Sequence, residues 1–497
     1  MAGVNEVRPF PPGEYPVVVV GSGPGGLQTS YALSRLGIGH AAISQDDAPG
    51  GMFRRFPIFQ RLLSWTKPDA PFPRESRQYE WFDHNSLVAN EPECRAAVAA
   101  VMDRSFMVPS RPEMERGLAD FATKAGVEIR YGCRWESTRR EDDGRFTLVT
   151  SDGEYRCEAA IFAIGVTDPW KSAIPGIEDV PHYVETKAAR DYHGRTVFVI
   201  GKRNSGFELA DGLVPWARRV ILGSPRPVQS AVLGTATVRV RYFQPLEDAS
   251  WGGGTLALDA AIERIERTAA GFRIHAAGTT RPGEIVVDAD DVIAATGFRT
   301  PLRDLTDLGV ETVQQGRVPA LTPFWESATV PGIYFAGNTM QGAPGLRRHG
   351  VSSASGTVVG FRYNAAILAR HLAETRFGPE QPRPAVDQGE LVPFLLRELT
   401  TGPELWAQKS YLARVVSAGD DGLRDEGVVP LAHFADSDME GVAVTVEMNV
   451  EGAIYPATYV RTGGRLTEST SEPEHRDDYM GEPYRRWLDH LVRPLVR

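Results

Sequence analysis

Cysteine is scarce in this chain. The 497 residues contain three cysteines, Cys94, Cys133 and Cys157, and none of them forms a Cys-x-x-Cys pair. Three scattered cysteines cannot build the disulfide framework that stabilises many secreted domains, so the sequence favours a reducing compartment. Their spacing also argues against a redox-active dithiol.

Long apolar runs and an excess of positive charge are also missing. No apolar run approaches the roughly 18 residues of a membrane span, and residues 1–16 lack the apolar core of a signal peptide. The formal net charge is -10, whereas nucleic-acid binding needs a basic surface. We therefore expect a soluble, cytoplasmic protein that binds neither membranes nor nucleic acid. A homodimer is compatible with this composition.

A glycine-rich turn stands near the start of the chain, between a predicted strand at 15–20 and a predicted helix at 27–36. Its residues are Gly21, Ser22, Gly23, Pro24, Gly25 and Gly26. In such a turn the first glycine permits the bend, the middle one admits a pyrophosphate, and the last lets helix and strand pack. The helix N-terminus then faces the phosphates. With a further strand at 40–44, this pattern predicts an FAD site.

The ribose contact of this site is ambiguous. An acidic residue usually ends the second strand of such a unit and binds a ribose hydroxyl. Ser44 holds that position here, followed by Gln45 and Asp46. Either Ser44 makes a weaker hydrogen bond or Asp46 has taken over the role. Gly51 then allows a close approach to the flavin side of the cofactor, with Met52 beside it.

A second turn of the same kind begins at Gly201. Its residues are Gly201, Lys202, Arg203, Asn204, Ser205 and Gly206. Arg203 replaces the middle glycine, so its side chain must point away from the pyrophosphate or cover it. The next strand is followed by Ser224 and Arg226 and by no acid. Because Ser and Arg accommodate the 2′-phosphate of NADP, we predict NADPH rather than NADH.

Two apolar strands that end in glycine are predicted to carry the chain between the cofactor domains. They span 159–164 and 292–296. The candidate cofactor contacts here are Ala163, Gly165, Thr296 and Gly297, and Trp135 is a further candidate.

A return segment is predicted to complete the FAD site. The apolar strand at 332–336 leads through Gly337 and Asn338 into a glycine-rich stretch at 342–356. This resembles the flavoprotein segment in which an Asp binds the ribityl chain; Asn338 takes that place and can still hydrogen-bond. The predicted helix at 357–372 can direct its N-terminal dipole at the flavin pyrimidine.

These elements predict an α/β fold with two Rossmann-like dinucleotide-binding domains, for FAD and NADPH, and a small C-terminal α+β appendage. We place the first part of the FAD domain at 1–170, the NAD(P)H domain at 171–300, the FAD return segment at 301–378 and the appendage at 379–497. In the appendage, residues 442–450 alternate apolar and polar side chains and could turn at Glu451 and Gly452 into 453–460.

Several short segments carry a family resemblance. They are Gly-Ser-Gly-Pro-Gly-Gly at 21–26, the run from Phe59 to Lys67, Asn85-Ser86-Leu87, Asn204-Ser205-Gly206-Phe207-Glu208 and Gly360-Phe361-Arg362-Tyr363. With them, residues 15 to about 375 resemble the flavin-containing monooxygenase superfamily, most closely its FAD-dependent oxidoreductase domain-containing proteins. The fingerprint Phe-x-Gly-x-x-x-His-x-x-x-Tyr is only echoed, because Gly176 and His182 stand at a different spacing.

The resemblance implies FAD in the first unit, NADPH in the second, and reaction with O2 through a flavin C4a-hydroperoxide that oxygenates a small organic substrate at nitrogen or carbon. It also implies catalytic roles for Lys67 and Asn85, and a cofactor contact at Glu208. Arg347 and His349 precede the helix expected to face the flavin, so they are candidates for contact with substrate, nicotinamide or flavin.

Three acceptors could reoxidise the flavin. A disulfide is disfavoured because a redox cysteine pair is missing. O2 requires a dry pocket, which the aromatic stretch from Phe53 to Phe82 could supply. Direct electron transfer to a protein or quinone is the third route. We favour a monooxygenase, with an NAD(P)H-dependent reductase or dehydrogenase without oxygen insertion as the alternative.

Overall fold

The computed structural model describes most of the chain, namely residues 8–59, 61–228, 230–231, 238–239, 250, 253–345, 353–378, 381–449, 453–471 and 478–496. The chain divides into two compact units. The first comprises Met1–Arg54, Ser64–Val166 and Thr300–Arg497, and the second comprises Arg55–Leu63 and Thr167–Arg299. Each unit is therefore assembled from separate stretches of sequence.

Secondary structure extends from Gly13 to Leu495. The strands, in chain order, are β1 (Gly13–Val20), β2 (His40–Ile43), β3 (Trp135–Arg140), β4 (Phe146–Thr150), β5 (Gly153–Phe162), β6 (Asp168–Pro169), β7 (Thr196–Ile200), β8 (Arg219–Ser224), β9 (Ser230–Ala231), β10 (Val238–Arg239), β11 (Thr255–Thr268), β12 (Gly271–Gly278), β13 (Glu284–Ala289), β14 (Asp291–Ala294), β15 (Phe298–Arg299), β16 (Thr312–Val313), β17 (Val318–Pro319), β18 (Ile333–Phe335), β19 (Ala385–Val386), β20 (Leu412–Gly419), β21 (Gly422–Pro430), β22 (Gly441–Met448), β23 (Ile454–Thr462) and β24 (Arg465–Thr470). The α-helices are α1 (Pro24–Arg35), α2 (Ala97–Val101), α3 (Arg111–Lys124), α4 (Asn204–Leu213), α5 (Val358–Leu372), α6 (Leu391–Thr401), α7 (Pro403–Ala407), α8 (Leu431–Asp436) and α9 (Glu482–Val492).

The first unit is built on a six-stranded sheet of order β2-β1-β5-β4-β3, with β18 paired to the second half of β5. β2, β1, β5 and β18 are parallel, whereas β3 and β4 join in antiparallel fashion. The four valines that end β1 are buried, as expected for a parallel strand covered on both faces. The strand predicted at 159–164 is the second half of β5, which begins earlier because its first half pairs with β4. α1 and α5 pack against each other.

The second unit contains a sheet of order β13-β12-β11-β8-β7-β14. β14, β7, β8 and the first part of β11 are parallel, and β11, β12 and β13 continue as an antiparallel meander. α4 connects β7 to β8 and buries Phe207, Leu209 and Leu213 in the same core as Val197 and Val199. This is the strand–helix–strand unit that the second glycine turn predicts.

The C-terminal residues of the first unit form a further, antiparallel sheet of order β19-β21-β20-β22-β23-β24. β22 pairs with β23, which confirms the predicted hairpin, while its predicted turn residues Glu451 and Gly452 lie outside the described residues. Together with α6 to α9, this sheet is the α+β appendage. The predicted fold class, two Rossmann-like units and a small α+β part, is confirmed.

The appendage is held to the rest of the first unit by charged and aromatic contacts. Arg77 donates two hydrogen bonds to the Glu398 carboxylate, at 3.0 and 3.1 Å, and one to Glu404 at 2.6 Å. The rings of Trp81 and Trp406 lie 4.7 Å apart. A planar guanidinium that binds a carboxylate with two parallel hydrogen bonds fixes direction as well as distance. These contacts therefore fix the orientation of the appendage relative to the segment that contains Arg77 and Trp81.

Across the described residues, no helix combines the length and apolar character needed to cross a bilayer. Over the same residues, no three His, Cys, Asp or Glu side chains are grouped as metal ligands would be.

Candidate cofactor sites

The first glycine turn has the backbone geometry of a phosphate-binding turn. Gly21 has a φ of +123°, and its N–H donates to the carbonyl of Ile43 at 2.8 Å. A Cβ at Gly21 would lie 2.4 Å from the Ala163 carbonyl oxygen, and one at Gly26 would lie 2.0 Å from the Gly21 carbonyl oxygen. Both contacts are impossible, so this turn needs glycine at its two ends.

Gly23, the middle glycine, is under no such constraint. Its φ is -72°, and the nearest atom to an added Cβ would be the Gly51 Cα at 3.7 Å. The protein itself would tolerate a methyl group here. Because Gly23 directly precedes α1, a bare backbone at this position leaves the helix N-terminus open to an anion. This cradle fits the pyrophosphate of FAD.

The return segment closes on the same helix. A Cβ at Gly25 would lie 2.5 Å from the Cα of Gly337, so the two backbones touch where α1 begins. Asn338 follows, and its Oδ1 is buried and accepts no hydrogen bond within the described residues. An unsatisfied buried oxygen is costly unless a ligand supplies the donor. The hydroxyl groups of a ribityl chain are donors of the required kind.

A hydrogen-bonded network links the turn to the predicted ribose position. The hydroxyls of Ser22 and Ser44 lie 2.8 Å apart, and the Ser22 hydroxyl also contacts Asp46 Oδ2 at 3.1 Å. The Asp46 N–H donates to Ser44 Oγ at 3.2 Å. Ser44 is buried, whereas Asp46 is half-buried and Gln45 is exposed. The hydroxyl of Ser44 is therefore already used, and the carboxylate of Asp46 is the accessible acceptor.

Asp46→Ala is expected to weaken FAD binding about tenfold or more, because a carboxylate hydrogen bond to a ribose hydroxyl is of the charged, stronger kind. Ser44→Ala should weaken FAD binding less, since it removes only a support of Asp46. Titration of the apoprotein with FAD, followed by flavin fluorescence, measures both affinities. A larger loss with Ser44→Ala than with Asp46→Ala would assign the ribose contact to Ser44 instead.

The segment after this network packs on the turn. A Cβ at Gly51, which has a φ of +56°, would lie 2.8 Å from the Gly23 Cα. The Gly50 N–H donates to the Ser22 carbonyl at 2.9 Å. Gly51 and Met52 begin a short 3-10 helix, and the Met52 side chain is half-buried. The glycine at 51 is thus required by contact with the turn, and a cofactor contact at Gly51 or Met52 stays a prediction.

Two other candidates on the first sheet have different surroundings. Ala163 supplies the carbonyl that excludes a side chain at Gly21, and Gly165 has a φ of +74°. Trp135 is buried; its indole N–H donates to the Thr138 hydroxyl at 2.9 Å, and its ring lies 4.8 Å from that of Phe162. The side chain of Trp135 is therefore a packing element, and a contact to FAD would have to come from its backbone.

The second turn repeats the geometry of the first. Gly201 has a φ of +126°, and its N–H donates to the Gly223 carbonyl at 2.9 Å. A Cβ at Gly201 would lie 2.4 Å from the Ala295 carbonyl oxygen, and one at Gly206 would lie 2.2 Å from the Gly201 carbonyl oxygen. The two turns are therefore equivalent at their first and last glycines, and a dinucleotide contact at the second turn stays a prediction.

The arginine that replaces the middle glycine leaves the second turn intact. Arg203 directly precedes α4 in an extended conformation, and its side chain is exposed. The guanidinium therefore points into solvent, which leaves it free to cover the phosphates. Asn204 and Ser205 begin the helix and are half-buried; Ser224 ends β8 half-buried, and Arg226 is exposed.

Two predicted cofactor ligands of the second unit are already engaged within the protein. Lys202 is buried and its ammonium group forms an ion pair with Asp259 on β11. Glu208 is buried, accepts the Phe59 N–H at 2.8 Å with one carboxylate oxygen, and binds the Tyr183 hydroxyl with the other. Direct cofactor contacts at Lys202 and Glu208 stay predictions. The Lys202 ammonium group neutralises the Asp259 carboxylate, and Glu208 anchors Phe59 and Tyr183.

The segment at 296–297 is fixed by hydrogen bonds inside the second unit. The Gly297 carbonyl accepts from the Trp170 N–H at 3.0 Å and lies 3.0 Å from His182 Nε2. The Thr296 hydroxyl donates to the Trp170 carbonyl. Burial lowers the pKa of His182, which therefore stays neutral and donates from Nε2. Cofactor contacts at Thr296 and Gly297 stay predictions.

The model of the pyridine nucleotide-disulphide oxidoreductase family matches residues 18–337. The chain belongs to this family. The matched span begins in β1 and ends at Gly337, so it contains both glycine turns. The predicted resemblance to two-dinucleotide flavoproteins is thereby confirmed, and FAD and NAD(P)H are the cofactors of this oxidoreductase.

Relatives and solved structures agree with this assignment. The oxidoreductase is 24% identical over 446 residues to the mouse FAD-dependent oxidoreductase domain-containing protein 2. The aligned region covers 80% of this chain and 64% of the mouse protein. The chain thus spans less than two thirds of that relative. A Staphylococcus aureus bacillithiol disulfide reductase has a TM-score of 0.56 at 16% identity, covering 73% of this chain and 99% of the other. A Stenotrophomonas maltophilia flavin-containing monooxygenase has a TM-score of 0.53 at 20% identity, covering 72% and 98%.

Asp83 of the oxidoreductase carries a buried carboxylate that was not predicted from the sequence. Oδ1 of Asp83 accepts from the Thr66 hydroxyl at 2.9 Å and from the N–H groups of Asn85 at 3.1 Å and Ser86 at 3.0 Å. Asn85 Nδ2 donates to Thr66 Oγ1 at 2.9 Å and to the Ser64 carbonyl at 3.0 Å. An Asp that accepts from residues two and three positions ahead forms an Asx turn, the signal that could have revealed it. Asn85 therefore holds the loop together.

Lys67 is the other predicted catalytic residue that lies in the described part of the chain. The Lys67 side chain is exposed, while its backbone N–H donates to the Phe82 carbonyl at 2.7 Å and its carbonyl accepts the Tyr79 hydroxyl at 2.9 Å. Arg347 and His349 lie outside the described residues. Catalytic roles for Lys67, Asn85, Arg347 and His349 stay predictions.

The cysteines of the oxidoreductase are free and buried. Burial raises the pKa of Cys157 to about 12, and it also raises the pKa of Cys94 and of Cys133. Since the thiolate is the nucleophile in disulfide exchange, these thiols are suited to packing and not to redox chemistry.

Proposed function

We propose that this flavin-dependent oxidoreductase is an NADPH-dependent monooxygenase that hydroxylates a small organic substrate at nitrogen or carbon. FAD, when bound, takes a hydride from the nicotinamide and passes the electrons to O2, so that one oxygen atom enters the substrate and the other leaves as water. The chain's own residues bind and orient the two dinucleotides, admit the substrate and keep water out.

The feature that carries this proposal is an aromatic patch in the first unit, formed by Trp65, Phe72 and Phe82. The rings of Trp65 and Phe82 lie 6.2 Å apart, and those of Phe72 and Phe82 lie 6.0 Å apart. The Met107 carbonyl accepts the Thr66 N–H at 3.0 Å, which joins the two chain segments. Phe72 is 43% and Met107 62% exposed. Trp65 and Phe82 are half-buried, and this less exposed part of the patch fits a small apolar or amphipathic substrate.

The state of the cysteine thiols supports an electron acceptor for the flavin other than a disulfide. Two cysteines that pass electrons from a flavin must lie close to each other and form a thiolate readily. Cys94, Cys133 and Cys157 are buried, free and have raised pKa values. The disulfide chemistry for which the family is named therefore has no residues here to perform it.

The second turn supports NADPH as the electron donor. Arg203 and Arg226 are exposed, and neither guanidinium has a partner among the described residues. Guanidinium groups bind phosphates with two parallel hydrogen bonds, and the 2′-phosphate of NADPH is the group that NADH lacks.

The test is oxygen incorporation. We expect NADPH oxidation in air to speed up with a panel of small amines, thioethers and phenols, and labelled oxygen from O2 to appear in the product in equal amount to the NADPH consumed. Phe72→Ala should raise KM for the substrate and leave anaerobic flavin reduction by NADPH unchanged. Trp216→Ala, which removes a ring of similar exposure (44%) in the second unit, is the matched control.

A reductase without oxygen insertion is the second candidate, and the exposure of Phe72 and Met107 favours it. A protein or quinone acceptor needs an open apolar contact surface, whereas oxygenation requires an enclosed one. Rapid anaerobic reduction of a quinone or ferricyanide, combined with absence of labelled oxygen from every product, would replace the monooxygenase proposal by this one.

A further inference from the structure

An ion pair crosses the end of a strand in the second unit. Lys202 follows β7, and Asp259 lies on β11, yet β8 lies between these two strands. Neighbouring strands are about 4.8 Å apart. The Lys202 side chain must therefore pass over the carboxyl end of β8 to reach its partner. It is 2% exposed, whereas that of Asp259 is 26% exposed.

The end of β8 is where a dinucleotide places its adenosine ribose. In a strand–helix–strand unit, the residue at the end of the second strand meets the 2′-position of that ribose. Here that residue is Ser224, and Asp259 is its partner in the parallel register of β8 and β11. The neighbouring loop keeps Asp259 in place, because Thr280 donates to its Oδ2 at 2.8 Å and the Thr279 N–H donates to its carbonyl at 2.9 Å. The Thr279 hydroxyl also binds the Pro225 carbonyl at 2.6 Å.

The sequence shows no acid at the end of β8, but the fold supplies one from the next strand. A free carboxylate beside the ribose selects NAD, since it accepts the 2′-hydroxyl and repels a 2′-phosphate. Lys202 cancels that charge. Hydrogen bonds from Lys202 and from Thr280 hold the pKa of Asp259 below its ordinary value, so its carboxyl group is ionised at neutral pH.

We propose that the Lys202–Asp259 pair sets the choice between NADPH and NADH, by masking an acid that would otherwise select NADH. The inference rests on the proposed use of the second turn as the nicotinamide dinucleotide site. It assigns cofactor specificity to two side chains that are distinct both from the backbone of the glycine turn and from the exposed arginines Arg203 and Arg226.

The two single substitutions should act in opposite directions. Lys202→Met uncovers the carboxylate and should shift the ratio of NADP+ to NAD+ affinity about tenfold towards NAD+. Asp259→Asn uncovers the ammonium group and should shift the same ratio about tenfold towards NADP+. Lys202→Arg keeps the charge and should keep the ratio. The double variant Lys202→Met/Asp259→Asn should return it close to the wild-type value.

Calorimetric titration of the FAD-loaded protein with NADP+ and NAD+ measures these ratios without turnover. Arg195→Met is the matched control, because Arg195 forms an ion pair with Asp291 at the opposite, amino ends of β7 and β14 and should leave the ratio unchanged. Thermal unfolding confirms that each variant is folded, and Asp259→Asn still tests the inference if Lys202→Met does not fold.

Equal ratios in folded wild type, Lys202→Met and Asp259→Asn would overturn the inference while leaving the proposed function in place. Shifts of the same sign in both single variants would also overturn it, since opposite charges are uncovered. Failure of the wild type to bind either dinucleotide would instead overturn the proposed dinucleotide site itself, and the inference with it.

Discussion

Gly26→Ala is expected to yield a protein that no longer retains FAD. The added methyl group would lie 2.0 Å from the Gly21 carbonyl oxygen, which is backbone and cannot rotate away. The turn must open, and α1 then moves its N-terminus off the phosphates that its N–H groups and dipole would bind. We expect a loss of FAD affinity of about 100-fold or more, which corresponds to roughly 2.7 kcal/mol. The flavin-to-protein absorbance ratio after purification and an FAD titration measure it.

Gly39→Ala is the control for this prediction. Gly39 lies after the same helix, and the nearest atom to its added Cβ would be a Pro16 ring carbon at 3.6 Å, an ordinary contact. Gly206→Ala gives the reciprocal case, because its Cβ would lie 2.2 Å from the Gly201 carbonyl oxygen. That variant should keep FAD and lose the nicotinamide dinucleotide. Full FAD occupancy in Gly26→Ala would show that the first turn is not the FAD site.

The sequence predicted both turns because everything that defines them is local. The positive φ at Gly21 and Gly201 and the contacts of Gly26 and Gly206 each involve residues within six positions or at the end of an adjacent strand. The apolar strand before each turn and the helix after it appear in the pattern of side chains. Local rules of this kind can be applied to a single sequence.

Side-chain partners were not predictable in the same way. Lys202 pairs with Asp259, which lies 57 positions later, and Glu208 accepts from Phe59, which lies 149 positions earlier. Nothing at position 202 or 208 indicates whether a charged side chain faces a ligand or the protein. The meander that contributes Asp259 was also missed, because the buried residues of β11, Thr255, Ala260 and Ile265, stand five positions apart and show no strand-like alternation. The direction of a charged side chain is decided by the tertiary fold.

The appendage illustrates the same limit at a larger scale. Its hairpin from β22 to β23 was predictable from alternation, since successive side chains of a strand point to opposite faces. Its attachment was not, because Arg77 and Glu398 are 321 positions apart and neither lies in a motif. Trp81 and Trp406, whose rings are in contact, are similarly far apart in the sequence. Residues 379–497 belong to the same compact unit as the first sheet, and the predicted boundaries of the appendage stay a prediction.

Arg362→Met is expected to destabilise the first unit by about 3–5 kcal/mol, the cost of removing one partner from a buried charged network. Arg362 lies on α5 and is 1% exposed. Its guanidinium donates to the carbonyls of Asp83 at 2.7 Å, Ser86 at 2.8 Å and Glu80 at 3.0 Å. Methionine fills a similar volume but leaves these three carbonyls without donors, and each buried unpaired group is costly. This contact joins two of the resemblance segments, Asn85-Ser86-Leu87 and Gly360-Phe361-Arg362-Tyr363.

The measurement is thermal unfolding of the FAD-loaded protein, where the change should lower Tm by roughly 5 °C. Arg362→Lys should fall between wild type and Arg362→Met, because one ammonium group cannot reproduce the planar fork that reaches three carbonyls. Arg486→Met removes an arginine that is 75% exposed and that pairs with Glu482 one turn away, and it should leave Tm unchanged. A Tm for Arg362→Met equal to that of Arg486→Met would mean that the Asp83 loop holds its shape without α5. Arg362 would then be a packing residue, and the two resemblance segments would be joined by apolar contact alone.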